Sequence, residues 1–369
     1  MDQRGSKYSY SVNSDMSKTD IVNEQLNQLR QRFNDFETTL NGSKGPIHNT
    51  RKAAIAHFLK LGFPTSKNEE YKYTDLSRKV GRLIDFSSPA DVDQVKPDDL
   101  KHGAINELDA YELVFVNGHF NPDLSNFTPE AGLTVSDFNA ALLSDSGLIK
   151  EHFNKYAPYE NDELIALNTG FSANGSVIKV DKNHRVAKPI VLRYMNDVRI
   201  GQAHSFPRNL IIAEESCEAA VIEVYNELGE NISFTNEVTE IVIAQNAKID
   251  HYKLQLNNQH AFYAGTTQVR QAGSSRYSNY TFTSGGSMVR NNLNVDQTGE
   301  GCETHMYGLY LLSGASHVDN HTTVDHQKPD SFSNELYKGI LDDKSRGIFN
   351  GKIYVRSEAQ KTNAFQSNK

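Results

Sequence analysis

The chain has 369 residues, which is long enough for more than one domain and a large buried core. Its 38 Lys and Arg against 46 Asp and Glu give a net charge of −8, which argues against a nucleic-acid-binding protein. Two cysteines, Cys217 and Cys302, are too few for a disulfide scaffold or a self-contained zinc site. No apolar run reaches the roughly 20 residues that span a bilayer. Residues 1–18 contain no apolar stretch of the kind found in a secretory signal. We therefore expect a soluble, cytoplasmic protein.

The N-terminal part of the chain is predicted to be helical. Residues 1–15 are polar and lack periodicity, so we expect a disordered tail or extension there. An apolar stripe with helical spacing follows and ends near Asn41-Gly42. Its members are Val22, Leu26, Leu29, Phe33, Phe36 and Leu40. A second helix is predicted from an N-cap at Asn49 or Thr50 to a stop at Gly62. Its apolar face consists of Ala54, Ile55, Phe58 and Leu59. We assign residues 16–105 to a helical domain.

Beyond residue 105 the sequence changes to short β-type runs separated by Gly, Asn and Asp. LVFVNGHF (113–120) is typical of a strand that enters an Asn-Gly turn. VIKV (177–180) and PIVLRY (189–194) predict further strands. Residues 106–369 are therefore predicted to be mainly β.

A repeat of 26–29 residues organises the second half of this β region. It is visible in three series: Tyr225, Tyr252, Tyr280 and Tyr307; the small residues Ala220, Ala247, Ser275 and Cys302; and Val242, Val269, Val295 and Val324. Such a period leaves no room for a helix pair and favours a β-solenoid, in which each coil buries its small and aromatic residues against those of the next. A β-sandwich is the alternative, because it also consists of many short strands.

One polar cluster has the spacing of a metal site. His317, Asp319 and His321 alternate, so on a strand their side chains share one face, and two imidazoles with a carboxylate could bind Fe²⁺ or Zn²⁺. A partner interface and a purely structural polar face are the alternatives. Cys302 and His305 could also ligate iron, but the repeated small position predicts that Cys302 packs inward and is inert.

No catalytic residue is predicted. Phosphate-binding loops of the G-x-x-x-x-G-K-[ST] type and Gly-x-Ser-x-Gly elbows do not occur in the sequence. The carboxylate pair Asp342-Asp343 would point to opposite faces of a strand, which is unsuitable for joint acid–base catalysis. We therefore expect a protein that is not an enzyme.

Several segments stand in a fixed order along the chain. They are GFPTSKNEEYKYTDL (62–76), LVFVNGHFNPDLS (113–125), ELIALNTGFSANGSVIKV (163–180), LYKGILDD (336–343), SRGIFNGKI (345–353) and AQKTNAFQSN (359–368). Together they resemble the SufD family, the scaffold subunits of the SUF iron–sulfur cluster assembly machine. Tyr71 stands where that family usually has Trp. The paralogous SufB proteins tend to carry a cysteine in the region that matches 359–368, and this chain has none there.

The resemblance implies a right-handed parallel β-helix core preceded by a helical domain. It also implies a non-enzymatic subunit that assembles with SufB-like and SufC-like proteins, without nucleic acid or membrane, and a homodimer when the SufB-like partner is absent. Transient iron, an iron–sulfur cluster and flavin are associated with such complexes and are placed on no residue here. We expect residues 316–368 to approach the SufB-like partner, with Lys338, Asp342 and Arg346 at the interface.

In the family the pattern continues beyond the position of Lys369 with another coil, a cysteine and histidine tied to cluster assembly, and helices that dock the SufC ATPase. By that comparison the chain is expected to be C-terminally truncated and to lack the SufC-docking region. Alternative interpretations are a SufB-like paralogue, a β-helix carbohydrate-active enzyme and a self-associating β-solenoid.

Overall fold

A computed structural model describes residues 18–40, 45–80, 83–87, 95–105, 107–128, 130–144 and 146–369. The tail predicted for residues 1–15 lies outside the described residues. The described helices are α1 (Lys18–Thr39), α2 (His48–Leu61), α3 (Leu76–Val80), α4 (Phe138–Ser144), α5 (Ser146–His152) and α6 (Glu163–Gly170), with 3-10 turns at Glu69–Tyr71, Pro97–Lys101 and Tyr159–Asn161. None of these helices is long and apolar enough to span a membrane.

The strands dominate the rest of the chain. They are β1 (Tyr111–Val116), β2 (His119–Asn126), β3 (Leu133–Asp137), β4 (Ser176–Val180), β5 (Ile190–Asp197), β6 (Ala203–Ser205), β7 (Arg208–Ala213), β8 (Glu218–Leu228), β9 (Ser233–Ile243), β10 (Lys248–Asn257), β11 (Ala261–Gln271), β12 (Arg276–Gly285), β13 (Met288–Gln297), β14 (Glu303–Leu312), β15 (His317–His326), β16 (Phe332–Leu341), β17 (Arg346–Val355) and β18 (Asn363–Asn368).

These strands form a β-solenoid of about seven turns, as predicted. One sheet, hereafter sheet A, has the order β18-β16-β14-β12-β10-β8-β5-β1-β2, and the other, sheet B, has the order β17-β15-β13-β11-β9-β7-β4-β3, with β6 beside β9. From β7 onward the chain alternates between the sheets, and each strand pairs in parallel with the strand two positions further along. This pairing rules out the β-sandwich alternative, whose sheets are antiparallel.

The repeat series are in register except at their first members. Tyr252, Tyr280 and Tyr307 are aligned, but the partner of Tyr252 on β8 is Ile222 rather than Tyr225. The aligned tyrosines are half-buried on the outer face of sheet A, where they stack with ring centroids 4.7 and 5.4 Å apart. Burial of these rings between coils was therefore a wrong expectation. Stacking on the outer face explains why the rings repeat.

The valine series lies inward, as predicted for a solenoid core. Val269, Val295 and Val324 are aligned and buried, whereas the position before them is held by Ile241 rather than Val242. The predicted period was thus correct, but the first member of the predicted valine series was placed one residue too far along the chain. Because side chains alternate between the two faces of a strand, a shift of one residue exchanges inside for outside.

The small residues mark a corner of each coil. Cys217, Ala247, Ser275 and Cys302 are buried at equivalent positions, so Cys217, and not Ala220, opens this series. Each follows a residue with positive φ, from +55° to +66°, at positions 216, 246, 274 and 301. A left-handed residue turns the chain sharply, and the next side chain then points into a narrow space. This geometry favours a small residue at each corner.

The helical elements agree in part with the expectations. In α1, Leu29 and Phe33 are buried, and α2 ends at Gly62, whose N–H donates to the Phe58 carbonyl over 2.7 Å at a φ of +73°. The N-cap of α2 is Ile47, without a side-chain hydrogen bond, so the expected caps at Asn49 and Thr50 were wrong. The predicted end of the first helix at Asn41-Gly42 lies outside the described residues. Helices α4–α6, inserted between β3 and β4, were not predicted.

Candidate functional site: a clasp on sheet B and a buried ionic network

The predicted polar cluster lies on one face of a strand, as the alternation required. His317, Asp319 and His321 are on β15, on the outer face of sheet B. The His321 Nε2 is 3.0 Å from the Asp319 Oδ1, and Asp319 is only 1% exposed. This face is not open to solvent, because the segment after α2 packs over it.

That segment carries the 62–76 motif and binds the cluster directly. The Thr74 hydroxyl donates to the Asp319 Oδ2 over 2.5 Å and lies 2.8 Å from the His317 Nε2. The Arg290 guanidinium, from the neighbouring strand β13, donates to the same Oδ2 over 2.6 Å and to the Glu70 carbonyl over 2.9 Å. We name this group of contacts between residues 70–74 and sheet B the clasp.

Tyr71 anchors the clasp in the solenoid. The ring is 1% exposed, and the Arg290 guanidinium lies over it at 4.6 Å from the ring centroid. The Tyr71 hydroxyl donates to the Asp162 Oδ2 over 2.9 Å, in front of α6. A cation over an aromatic face is favourable when both are removed from water. Tyr71 is thus an aromatic platform for a buried arginine.

Burial and neighbouring charges together set the ionisation of the clasp. Burial opposes the charge of Asp319, but the hydrogen bond from His321 and the charge of Arg290 outweigh it and lower the pKa of Asp319 to about 2. Burial, aided by the nearby Lys79, lowers the pKa of His317 to about 4. Asp319 is therefore a buried anion held by a buried cation, and His317 is neutral at physiological pH.

The metal assignment of His317, Asp319 and His321 stays a prediction. Across the described ranges, no group of three or more His, Cys, Asp or Glu side chains is arranged as metal ligands would be. The Asp319 Oδ2 is shared by Thr74 and Arg290, and His321 also lies beside Glu70 at 3.4 Å. The contacts that these three residues make in the fold are those of the clasp.

The residues assigned to a partner interface lie together near one end of the solenoid. Lys338 is on β16, Asp342 lies in the following turn and Arg346 begins β17; all three are exposed. Asp342 and Asp343 occupy this turn rather than a strand, so the reason given for their separate orientations was wrong. Asp343 instead has a φ of +56°, and its carboxylate accepts the Gly314 N–H over 2.9 Å.

Both cysteines are buried and their thiols are held in the protonated form. The Cys302 Sγ lies 3.2 Å from the carbonyl oxygens of Ala272 and Gly299, which confirms its predicted inward position. Burial raises the pKa of Cys302, and it raises the pKa of Cys217 to about 11. His305 points outward and pairs with Glu303 at 2.6 Å, so it does not meet Cys302.

A buried ionic network that the sequence analysis missed fills the middle of the solenoid. The Lys253 Nζ lies 2.9 Å from the Glu237 Oε2 and 3.4 Å from the Glu223 Oε2, and the His251 Nε2 is 3.2 Å from the Glu223 Oε1. All four side chains are at most 5% exposed. The network joins sheet A, through β8 and β10, to sheet B, through β9.

Hydroxyl groups complete the network. Tyr225 donates to Glu223 and Tyr263 donates to Glu237, each over 2.8 Å, while Lys253 donates to the Thr267 hydroxyl over 3.0 Å. Burial raises the pKa of Glu237, whereas the charges of Lys253 and His251 overcome burial and lower the pKa of Glu223. Lys253 therefore carries its charge between two carboxylates inside the core.

Space for these groups comes from Gly265 on β11. A Cβ at that position would lie 2.3 Å from the Tyr263 hydroxyl and 2.6 Å from the Glu237 Oε2. Any side chain there would displace one of the hydrogen-bonding groups. The glycine is thus required by the close approach of the network rather than by a turn.

Glu335 is a second buried acid in the interior, on β16. It is 2% exposed and its Oε1 has no hydrogen-bond partner among the described residues. Burial raises the pKa of Glu335 from 4.5 to about 7. Between these two pH values the folded state therefore binds more protons than the unfolded state, and the free energy of unfolding falls as the pH rises.

We expect Glu335→Gln to remove this pH dependence. Above pH 7 the variant should be more stable than the wild-type protein by about 2–3 kcal/mol, because the wild-type carboxylate must then ionise in the core. Urea unfolding at pH 5, 6, 7 and 8 measures the effect. Glu300→Gln, at an exposed position, is the matched control and should leave the pH dependence unchanged. Equal slopes for wild-type and Glu335→Gln proteins would contradict the assignment.

The described chain is thus a two-sheet β-solenoid with the segment that follows α2 held on sheet B by buried polar contacts. The family model described as the SufBD core domain of the SUF iron–sulfur cluster assembly system matches residues 195–369. The model of the SufBD N-terminal region matches residues 23–192. The chain belongs to the SufBD family.

Individual relatives agree with this assignment. An iron–sulfur cluster assembly SufBD family protein of Synechocystis is 27% identical over 365 residues, covering 94% of this chain and 77% of that protein. The iron–sulfur cluster assembly protein SufD of Escherichia coli is 28% identical over 319 residues, covering 85% and 71%. The chloroplastic protein ABCI7 of Arabidopsis thaliana is 26% identical over 354 residues, covering 92% and 72%. The resemblance to SufD seen in the sequence motifs is confirmed.

Proposed function

We propose that this chain is a non-enzymatic scaffold subunit of the SUF system, which pairs with a SufB-like subunit and works with a SufC-like ATPase in the cytoplasm. The observation that carries the proposal is the SufBD family match over almost the whole described chain, together with the similarity to a protein named SufD. Iron and a nascent cluster are then cargo of the assembled complex rather than resident cofactors of this subunit, and any flavin belongs to the complex as well.

The architecture suits such a role. A solenoid presents long parallel faces of stacked strands, which can bind another protein over a wide area. The most strongly bound polar groups are turned inward or into the clasp, so they serve the fold. Lys338, Asp342 and Arg346 are exposed, and the Arg346 guanidinium lies over the Tyr73 ring at 5.8 Å from its centroid, so these charges are accessible to a partner.

Charge reversal at this patch tests the proposed pairing. In the triple variant Lys338→Glu, Asp342→Lys, Arg346→Glu, we expect a loss of about tenfold or more in affinity for the SufB-like partner, since like charges would then face each other. Anaerobic co-purification followed by light scattering and calorimetry measures the complex.

The matched control reverses three exposed charges elsewhere. Asp98→Lys, Lys101→Glu and Arg185→Glu make the same charge changes at side chains that are at least 80% exposed. Unchanged affinity in this control, with a loss in the test variant, supports an interface at residues 338–346. Equal affinity of the two variants would show that the interface lies on another surface. A wild-type chain that forms no complex with the SufB-like protein would argue against the scaffold proposal.

A further inference from the structure

A cleft beside α1 contains positive charge without a matching carboxylate. It has a volume of about 400 Å³ and lies between α1, the turn that joins β1 to β2, the segment after α6 and β6. Arg32, His204 and Asn174 supply polar groups to its lining, and Phe36, Phe171 and Phe206 supply aromatic rings. None of the described residues that line it is Asp or Glu. This volume lies in the range typical of sites for small organic ligands.

Arg32 is the central cation of the cleft. Its Nη1 donates to the His204 Nδ1 over 2.8 Å, and its remaining contacts are long ones to the carbonyl oxygens of His204 and Phe86, at 3.4 and 3.5 Å. Burial lowers the pKa of Arg32 to about 10, with no opposing contribution from a carboxylate. A half-buried guanidinium without an anion is costly, and an anionic ligand would relieve that cost.

His204 is a neutral hydrogen-bonding group beside Arg32. It is 2% exposed, and because Arg32 donates to its Nδ1, the proton of the neutral ring is on Nε2. The Nε2 has no partner among the described residues. Burial and the charge of Arg32 lower the pKa of His204 well below its usual value, so the ring adds no charge that Arg32 would have to oppose.

A second unpaired arginine lies behind the aromatic wall. The guanidinium of Arg51 is 5.7 Å from the centroid of Phe36, and the Arg51 Nε donates to the Ser172 carbonyl over 2.8 Å. Its Nη1 has no hydrogen-bond partner among the described residues. Burial lowers the pKa of Arg51 to about 10, again without a carboxylate contribution. Two such arginines produce a positive potential that favours anions in the cleft.

Three aromatic rings line the apolar end of the cleft, and two of them, Phe171 and Phe206, are each only 7% exposed. Phe171 and Phe206 stack with centroids 4.7 Å apart and planes inclined by 21°, and Arg32 lies over Phe206 at 5.6 Å. Phe36 is half-buried at the edge of this pair, 6.1 Å from Phe171. Packing of a ligand against the exposed parts of these rings is favoured mainly by the apolar area that is removed from water. The polar end and the aromatic wall therefore fit two parts of one molecule.

We propose that this cleft binds a small organic anion in which a planar ring carries a phosphate or a carboxylate, with the anionic group on Arg32 and the ring against Phe36, Phe171 and Phe206. The two anions share the chemistry that a guanidinium recognises, namely paired oxygen acceptors. The site is separate from the clasp and from the exposed patch at residues 338–346, so it does not depend on the proposed pairing with a SufB-like subunit.

Binding of two defined probes tests the proposal. Adenosine monophosphate represents the phosphate source and 2-naphthoate the carboxylate source, with adenosine and 2-naphthol as their uncharged counterparts; isothermal calorimetry measures each affinity. We expect at least one anionic probe to bind about tenfold or more tightly than its uncharged counterpart, because a hydrogen bond to a charged group is stronger than a neutral one. The probe that binds identifies the source. Absence of binding by both anions, or equal binding of charged and uncharged forms, would overturn the proposal.

Two arginines of the same helix provide a matched pair of variants. Arg32→Gln should lower the affinity for the anionic probe about tenfold or more. Arg30→Gln, which changes an exposed arginine of α1, should leave that affinity unchanged. Hydrogen exchange of the wild-type protein gives an answer even if Arg32→Gln does not fold. The ligand should slow exchange in α1 and at residues 203–206. Protection confined to another part of the chain, or equal binding by both variants, would refute the assignment.

Discussion

Replacing Lys253 with methionine is expected to lower the free energy of unfolding by about 3–5 kcal/mol, which is a large part of the stability of an ordinary domain. The substitution keeps an unbranched side chain that is one heavy atom shorter, and it removes the cation that lies between Glu223 and Glu237. Two buried carboxylates then face each other without compensation, and one of them must take up a proton. Chemical denaturation followed by circular dichroism measures the loss.

The pH dependence of this variant separates a charge effect from a packing effect. Without Lys253, the pKa values of the two carboxylates should rise above those of the unfolded chain, so the folded state binds more protons. The stability of the variant should therefore fall as the pH rises from about 5 to 8, and its deficit should be smallest at the acidic end. A deficit that is the same at pH 5 and pH 8 would show that lost packing, and not unpaired charge, is responsible.

Two further variants complete the test of the network. Lys253→Met combined with Glu223→Gln and Glu237→Gln removes the cation together with both carboxylates, so it should recover much of the lost stability. Lys248→Met is the matched control on the same strand, because Lys248 pairs with Glu218 in an exposed position and should change stability by at most about 1 kcal/mol. A triple variant as unstable as the single variant would contradict the network interpretation.

Replacing Asp319 with alanine is the second change with a large expected effect. The Arg290 guanidinium would stay buried without its partner, and the Thr74 hydroxyl would lose its acceptor. We expect a loss of about 3–5 kcal/mol together with faster hydrogen exchange at residues 69–80, which the clasp holds on sheet B. Urea unfolding and exchange mass spectrometry measure the two effects. Unchanged exchange at residues 69–80 would show that Asp319 does not hold the clasp.

The controls for the clasp use charge and pH. Asp250→Ala breaks a partly exposed pair with Arg276 at 3.6 Å and should lower the free energy of unfolding by at most about 1 kcal/mol.

The pKa of Asp319 is lowered to about 2, so its contribution to the free energy of unfolding is complete above the ordinary Asp pKa near 4 and is lost as the pH falls through 2. The stability difference between wild-type and Asp319→Asn proteins should shrink across that window. A chelator should leave the wild-type stability unchanged; a clear loss on chelation would instead favour the metal prediction for His317, Asp319 and His321.

Much of the fold could be predicted from the sequence, because similar residue types recur at equivalent positions of successive coils. The aligned Val269, Val295 and Val324 and the corner residues that follow each positive φ recur at nearly constant spacing. The errors arose where spacing alone cannot give register. Tyr225 has the same period as Tyr252 but faces the interior, three residues out of alignment.

The candidate sites could be predicted from the sequence only in part. The alternation of His317, Asp319 and His321 placed them correctly on one face of a strand, but nothing local indicated that Arg290 and Thr74 would cover that face. Lys253 was overlooked because a lysine in a strand is usually exposed. A usable signal was present, since His251 and Lys253 continue the inward alternation of Ile249, but it can be read only once the inward face of β10 is known.

The sequence by itself determined the repeating β architecture, the two N-terminal helices and the kinship to SufD, because these depend on local spacing and on motifs that each segment carries. Tertiary structure alone decided which charges meet. Glu70 and Lys352 are separated by 282 residues and yet form an ion pair, and Arg32 reaches His204 across 172 residues. Coulomb and hydrogen-bond energies depend on distances of a few ångströms and on the exclusion of water, and only the closed solenoid sets both.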